Sequence, residues 1–96
     1  MARFAEKRNR AFRVAMYQYR PYTIDMLAKE AKCSRSTANS AIERLAKYYH
    51  FYWCYRSING SLGYLHFPHT WSENEVRDWL NAHTKSGRSR TKIHRM

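Results

Sequence analysis

Residues Thr23–Leu45 read TIDMLAKEAKCSRSTANSAIERL. Ile24, Leu27, Ala28 and Ala31 recur at the spacing of one helical face, and after a break Ala38, Ala41, Ile42 and Leu45 do the same. Thr23 stands where an N-cap belongs, with Asp25 placed to favour the positive end of the helix it opens. Ser34 caps the second helix, which is expected to reach about Tyr48. The break falls at Lys32–Cys33. The stretch therefore predicts two short amphipathic helices joined by a tight turn. Arg35, Ser36, Asn39, Ser40 and Glu43 fall outside the apolar stripe of the second helix, so its polar front remains free.

The flanks extend this pattern. Phe12, Ala15, Met16 and Tyr19 share one face of a helix from about residue 3 to Tyr19, and Phe4 lengthens that face. Arg8, Arg10 and Arg13 fall elsewhere on it and are expected to point to solvent or phosphate. Pro21 ends the helix by disfavouring helical geometry at Arg20. After Tyr49 the sequence HFYWCYR is dense in aromatics, Asn59-Gly60 is a hairpin signal, and SLGYLHF reads as the return strand up to Pro68. A two-residue turn places Cys54 opposite Leu65 and Tyr52 opposite Phe67 on a core face; a three-residue loop changes these partners. The other face, Trp53, Tyr55, Tyr64 and His66, is also aromatic. It is either covered by the last helix or is an exposed protein interface. That helix opens on the capping box Ser72-Glu-Asn-Glu75, runs from Glu73 to about His83, and gathers Val76, Trp79, Leu80 and His83 on one face.

The expected fold class is mainly α with a β-hairpin: three helices, a hairpin wing and one C-terminal helix. Residues 1–83 form one domain and residues 84–96 a basic, flexible tail. A chain of 96 residues buries a modest core and has little left for a second. The net charge is +11, from 18 Lys and Arg against 7 Asp and Glu, which points to a polyanionic partner. Residues 84–96 hold Lys85, Arg88, Arg90, Lys92 and Arg95 without an acid, whereas residues 49–71 hold Arg56 alone among charged groups. The two cysteines, Cys33 and Cys54, form no CxxC, and the histidines show no zinc-ligand spacing. No metal, no cofactor and no catalytic constellation is read here, so the chain is not expected to be an enzyme. No long apolar run marks a leader or a membrane span, so a cytoplasmic protein is expected, nucleoid-associated if bacterial.

The order helix, helix, turn, helix, β-hairpin, helix, over roughly residues 10–67, resembles the winged helix-turn-helix family of DNA-binding proteins. The most specific part is LAKEAKCSRSTANSAIERL, with its leucine-alanine start, serine-rich helix opening and Ile-x-x-Leu close. Bacterial and phage transcription regulators of this family are similar. The resemblance implies that the helix from Ser34 lies in the major groove and that the hairpin wing touches backbone or minor groove. One departure stands out. Where the family often has glycine in the turn, in a left-handed conformation, this chain has Lys32.

The expected function is thus sequence-specific binding of double-stranded DNA in transcription regulation. Ser34, Ser36 and Thr37 hydroxyls suit phosphate, Arg35 a guanine edge, Asn39 an adenine edge, and Ser40 the same groove. The wing offers Arg56 and Asn59. Arg8, Arg10 and Arg13, with Lys85, Arg88 and Arg90, supply the sequence-independent term. A palindromic site would require a homodimer, for which no heptad pattern is present. Two other readings stay open. One is a protein-interaction module docking a partner on the aromatic hairpin. The other is a binder of RNA or single-stranded DNA through the same rings.

Overall fold

The computed structural model describes the backbone of residues 2–58 and 61–96, and the side chains of residues 5–57 and 62–96. The expected Asn59-Gly60 turn and the Phe4 side chain lie outside the described residues. Four helices and a three-stranded antiparallel sheet run in the order α1 (Ala2–Met16), α2 (Ile24–Ala31), α3 (Arg35–Tyr48), β1 (Tyr52–Ile58), β2 (Ser61–His66), α4 (Glu73–Ala82) and β3 (Ile93–Arg95). The sheet order is β2-β1-β3.

The helix α1 stops at Met16, three residues before the expected end. Its last carbonyls find partners outside the helix: Gln18 Nε2 donates to Val14 (3.3 Å) and His69 Nε2 to Met16 (3.0 Å). Tyr19, expected on the buried face, is instead exposed, and Ala11 and Ala15 are the deepest of the described side chains of α1. Thr23 caps α2 through Met26 N, and Ser34 caps α3 through Thr37 N, as their side-chain chemistry dictates. Between the two helices Lys32 takes the left-handed conformation, φ 54° and ψ 51°. Its N–H bonds Lys29 O, and Cys33 N–H bonds Ala28 O. That pair of bonds is a Schellman closure, with a lysine where glycine is usual.

Leu27, Ile42, Leu45, Tyr22 and Phe51 fill the space between α1, α2 and α3. Ala11, Ala31 and Ala41, one from each of the three helices, form a further buried cluster of small side chains. A second apolar cluster, beyond the single core expected for this length, joins Cys54, Leu65 and Phe67 of the hairpin to Val76 and Leu80 of α4, with Trp71, Trp79 and Ile93 at its edge. The hairpin register is that of a two-residue connection: Cys54 faces Leu65, Tyr55 faces Tyr64 and Trp53 faces His66. The last helix therefore covers the Cys54 face, and the alternative in which it covers the Trp53–Tyr55 face is corrected. Its capping box is complete, with Ser72 and Glu75 exchanging bonds.

The tail is also corrected. Ile93 pairs with Cys54, His94 with Trp53 and Arg95 with Tyr52, so the expected flexible extension ends as the third strand. Met96 N donates to Phe51 O at 2.8 Å. Ile93 lies on the covered face beside Cys54 and adds to the second cluster.

The sheet and the trio of α1, α2 and α3 are joined by a backbone bridge at Tyr22 and His66. Tyr22, in the link between α1 and α2, exchanges two backbone hydrogen bonds with His66, of 2.9 and 2.8 Å. The two rings stack at 5.6 Å, and Phe51 lies 6.0 Å from His66 on another side. His66 is 6 % exposed, and its Nδ1 has no hydrogen-bond partner among the described residues. Burial lowers its pKa from 6.5 to about 4, opposed in part by a hydrogen bond to the Tyr22 backbone. Native His66 thus refuses the proton that the unfolded chain accepts. Stability is full above pH 6.5 and falls as the pH drops towards 4, by about 3 kcal/mol from this group. Urea unfolding at a series of pH values should show that loss in the native sequence. A His66→Phe variant should show a smaller slope over the same window, and equal slopes would contradict the burial assignment.

Candidate nucleic-acid interface

The front of α3 is the first candidate. Its opening turn carries no acid, and Ser34, Arg35, Ser36 and Asn39 are exposed, with Ser40 half-buried. Arg35 Nε sits 3.2 Å from Asp25 Oδ1, and both side chains are more than two-thirds exposed. A bidentate contact to a guanine edge uses the terminal guanidinium nitrogens, so it is compatible with this pairing at Nε. Asn39 Nδ2 donates to Glu43 Oε1 at 3.3 Å, which orients the amide and leaves its second amide hydrogen and its Oδ1 for other partners. Glu43 stands on the same side and places one negative charge beside the polar front.

Thr37 does not belong to this surface. It is 6 % exposed, and its Oγ1 lies 2.9 Å from Ser34 Oγ. The expected phosphate contact from Thr37 is therefore corrected: its position one turn into α3 faces the core. Ser34 Oγ also accepts from Thr37 N at 3.1 Å, so it works first as the helix cap.

The arginines divide into two groups. Arg10 was expected to reach solvent or phosphate. It is exposed, and its guanidinium is also engaged: Nε donates to Ala31 O at 2.6 Å and Nη2 to Lys32 O at 3.1 Å. Those carbonyls end α2, where the helix dipole is negative and left-handed Lys32 adds strain. Arg56 was expected to give the wing its phosphate contact. Its register puts it on the Cys54 face, where Nη2 donates to His83 O at 3.3 Å and the guanidinium lies 6.0 Å from the Trp79 ring. It serves the C-terminal end of α4 in the way Arg10 serves α2. Arg8 is half-buried along α1, whereas Arg13 is exposed in its last turn. Asn59 lies outside the described residues.

The tail cations Lys85, Arg88 and Arg90 are exposed, yet the backbone carrying them is held. Arg77 Nη1 donates to Ser89 O and Thr91 O, and Asn81 Oδ1 accepts from Ser89 N at 2.8 Å. Sequence reasoning missed both anchors; their only signal is a spacing of four on one side of α4. Of the four aromatic residues expected as an interface, Tyr55 and Tyr64 are exposed, Trp53 is half-buried, and His66 is corrected to a core residue. Cys33 and Cys54 are free thiols, and burial raises the Cys54 pKa, which keeps it protonated against the pull of Arg56 and Arg77. Among the described residues no helix is long and apolar enough to cross a membrane.

No protein-family model matches the chain, and no curated protein or solved structure is significantly similar to it. Arg10→Ala should lower unfolding stability by about 1–2 kcal/mol through removal of two charge-assisted bonds. Arg10→Lys should not restore it, because an ammonium lacks the fork that spans two carbonyls. Thermal denaturation of the three proteins checks both outcomes.

Proposed function

We propose that the protein binds double-stranded DNA with α3 in the major groove, as a small sequence-specific regulator of transcription in a winged helix-turn-helix arrangement. The observation that carries this reading is the polar, acid-free opening turn of α3. It stands exposed at the end of a rigid, capped helix pair, in a chain of net charge +11. A helix entering a groove needs its N-terminal side chains clear of its own core, and Arg35, Ser36 and Asn39 meet that condition. Backbone N–H groups at the start of α3 add a phosphate site, aided by the helix dipole.

The wing takes a different part from the one its place in the chain suggests. With Arg56 turned to α4, the described hairpin presents no free arginine or lysine to a phosphate, and the sequence-independent attraction falls to Arg13, Lys85, Arg88 and Arg90. Arg10 stabilises the turn that sets the angle between α2 and α3, and so acts on recognition through geometry.

DNA selected from a random duplex pool supplies the target for the test. Arg35→Ala and Asn39→Ala should each weaken specific binding by about 1–3 kcal/mol and relax preference at one base pair. Unchanged affinity in both variants would remove α3 from the interface. A Lys85→Gln, Arg88→Gln, Arg90→Gln triple variant keeps β3 in place. In it, the slope of log affinity against log salt should shrink by up to about 3, since each phosphate left without its cation takes away about 0.9. An unchanged slope would place these cations away from DNA.

A further inference from the structure

The sheet has two faces, and α4 covers one. The other carries Trp53 and Tyr55 of β1, Leu62 and Tyr64 of β2, and His94 of β3. At its inner end His66 is sealed against the helical core, but Tyr55 is 49 % exposed, Tyr64 54 % and Leu62 67 %. The rings form one connected group. Trp53 stacks on His94 at 4.4 Å, meets Tyr64 edge-on at 5.4 Å, and Tyr64 lies 5.0 Å from Tyr55. Trp53 and Tyr55 are two residues apart on one strand, so their side chains rise about 7 Å apart.

Charge decides what can cover this face. Residues 44–72 and 79–96, which include all three strands, contain no Asp or Glu. The acids Glu73, Glu75 and Asp78 belong to α4, the helix on the opposite face. β3 runs antiparallel to β1 with Ile93 beside Cys54, so the chain that enters it arrives from the Tyr55 side and brings exposed Lys92 and Arg90 there. A second copy of the chain would set +11 against +11, a repulsion that works against self-association. A polyanion is attracted instead, and one with accessible flat rings satisfies the aromatics as well. Duplex DNA hides its base faces in its own stack, whereas a single strand offers them.

We infer that the face formed by Trp53, Tyr55, Tyr64 and His94 binds single-stranded nucleic acid, stacking its bases on the rings while Arg90 and Lys92 meet its phosphates. The rings are separate from the α3 front and Arg90 is shared, so the protein holds two nucleic-acid sites of different strandedness that have one cation in common.

The test is fluorescence anisotropy of a labelled oligothymidylate, and of the matching oligouridylate, each of about 12 nucleotides. A Tyr55→Ala, Tyr64→Ala variant should bind at least about 10-fold more weakly, and a Tyr55→Phe, Tyr64→Phe variant should bind like the native protein, since stacking needs the ring and not the hydroxyl. Both tyrosines are exposed, and circular dichroism should show native helix content in each variant. Arg35→Ala should leave oligothymidylate binding unchanged, and the tyrosine variants should keep duplex binding, so failure of one site is read apart from failure of the other. Native affinity in the alanine variant would overturn the inference. So would a native protein that sediments as a dimer and becomes monomeric on the same substitution, which would make the face a self-interface.

Discussion

The paired backbone bonds between Tyr22 and His66 are the constraint on which the rest of the arrangement depends. They tie the link before α2 to the end of β2, and so attach the sheet to the helical trio at one edge. The cost is a buried imidazole with an unpartnered Nδ1, tolerated because the ring stays neutral between Tyr22 and Phe51. One consequence is that the inner end of that sheet face is sealed while its outer end stays open. On the opposite face α4 packs against Cys54, Leu65 and Phe67.

A second theme is the use of arginine at helix ends and along the tail. Arg10 closes α2, Arg56 closes α4, and Arg77 holds the chain at Ser89 and Thr91. Each neutralises carbonyls that no longer have helical or strand partners. Part of the large positive charge is therefore structural. The remainder is carried by exposed residues such as Arg13, Lys85, Arg88 and Arg90, on which the proposed attraction to DNA rests.

Much of this was legible in the chain. Caps at Thr23, Ser34 and Ser72 are local chemistry, satisfied within three residues, and all three act as their side chains require. The turn at Lys32–Cys33 was readable from the break between two apolar stripes, whereas the left-handed conformation of Lys32 was suggested only by the family resemblance. The two hairpin strands were readable as well, but their register was open between a two- and a three-residue loop, because both faces are aromatic; the pairing of Cys54 with Leu65 is the two-residue alternative. The roles of Arg10, Arg56 and Thr37 were not readable. A long or polar side chain on a helix or strand gives no hint of a carbonyl 21 or 27 residues away. The tail misled for a similar reason: its composition resembles a solvated segment, and its strand exists only because β1 has a free edge and α4 presents Arg77 and Asn81.

The sequence by itself determined the four helices, the caps of three of them, the two hairpin strands and the excess of positive charge. These follow from side-chain chemistry and periodicity acting over a few residues. Only the tertiary structure decided which face of the sheet α4 covers, which arginines are spent on carbonyls, and which aromatic rings remain exposed. Those outcomes depend on where non-local partners come to lie, and the Tyr22–His66 junction, which no local pattern encodes, sets that placement.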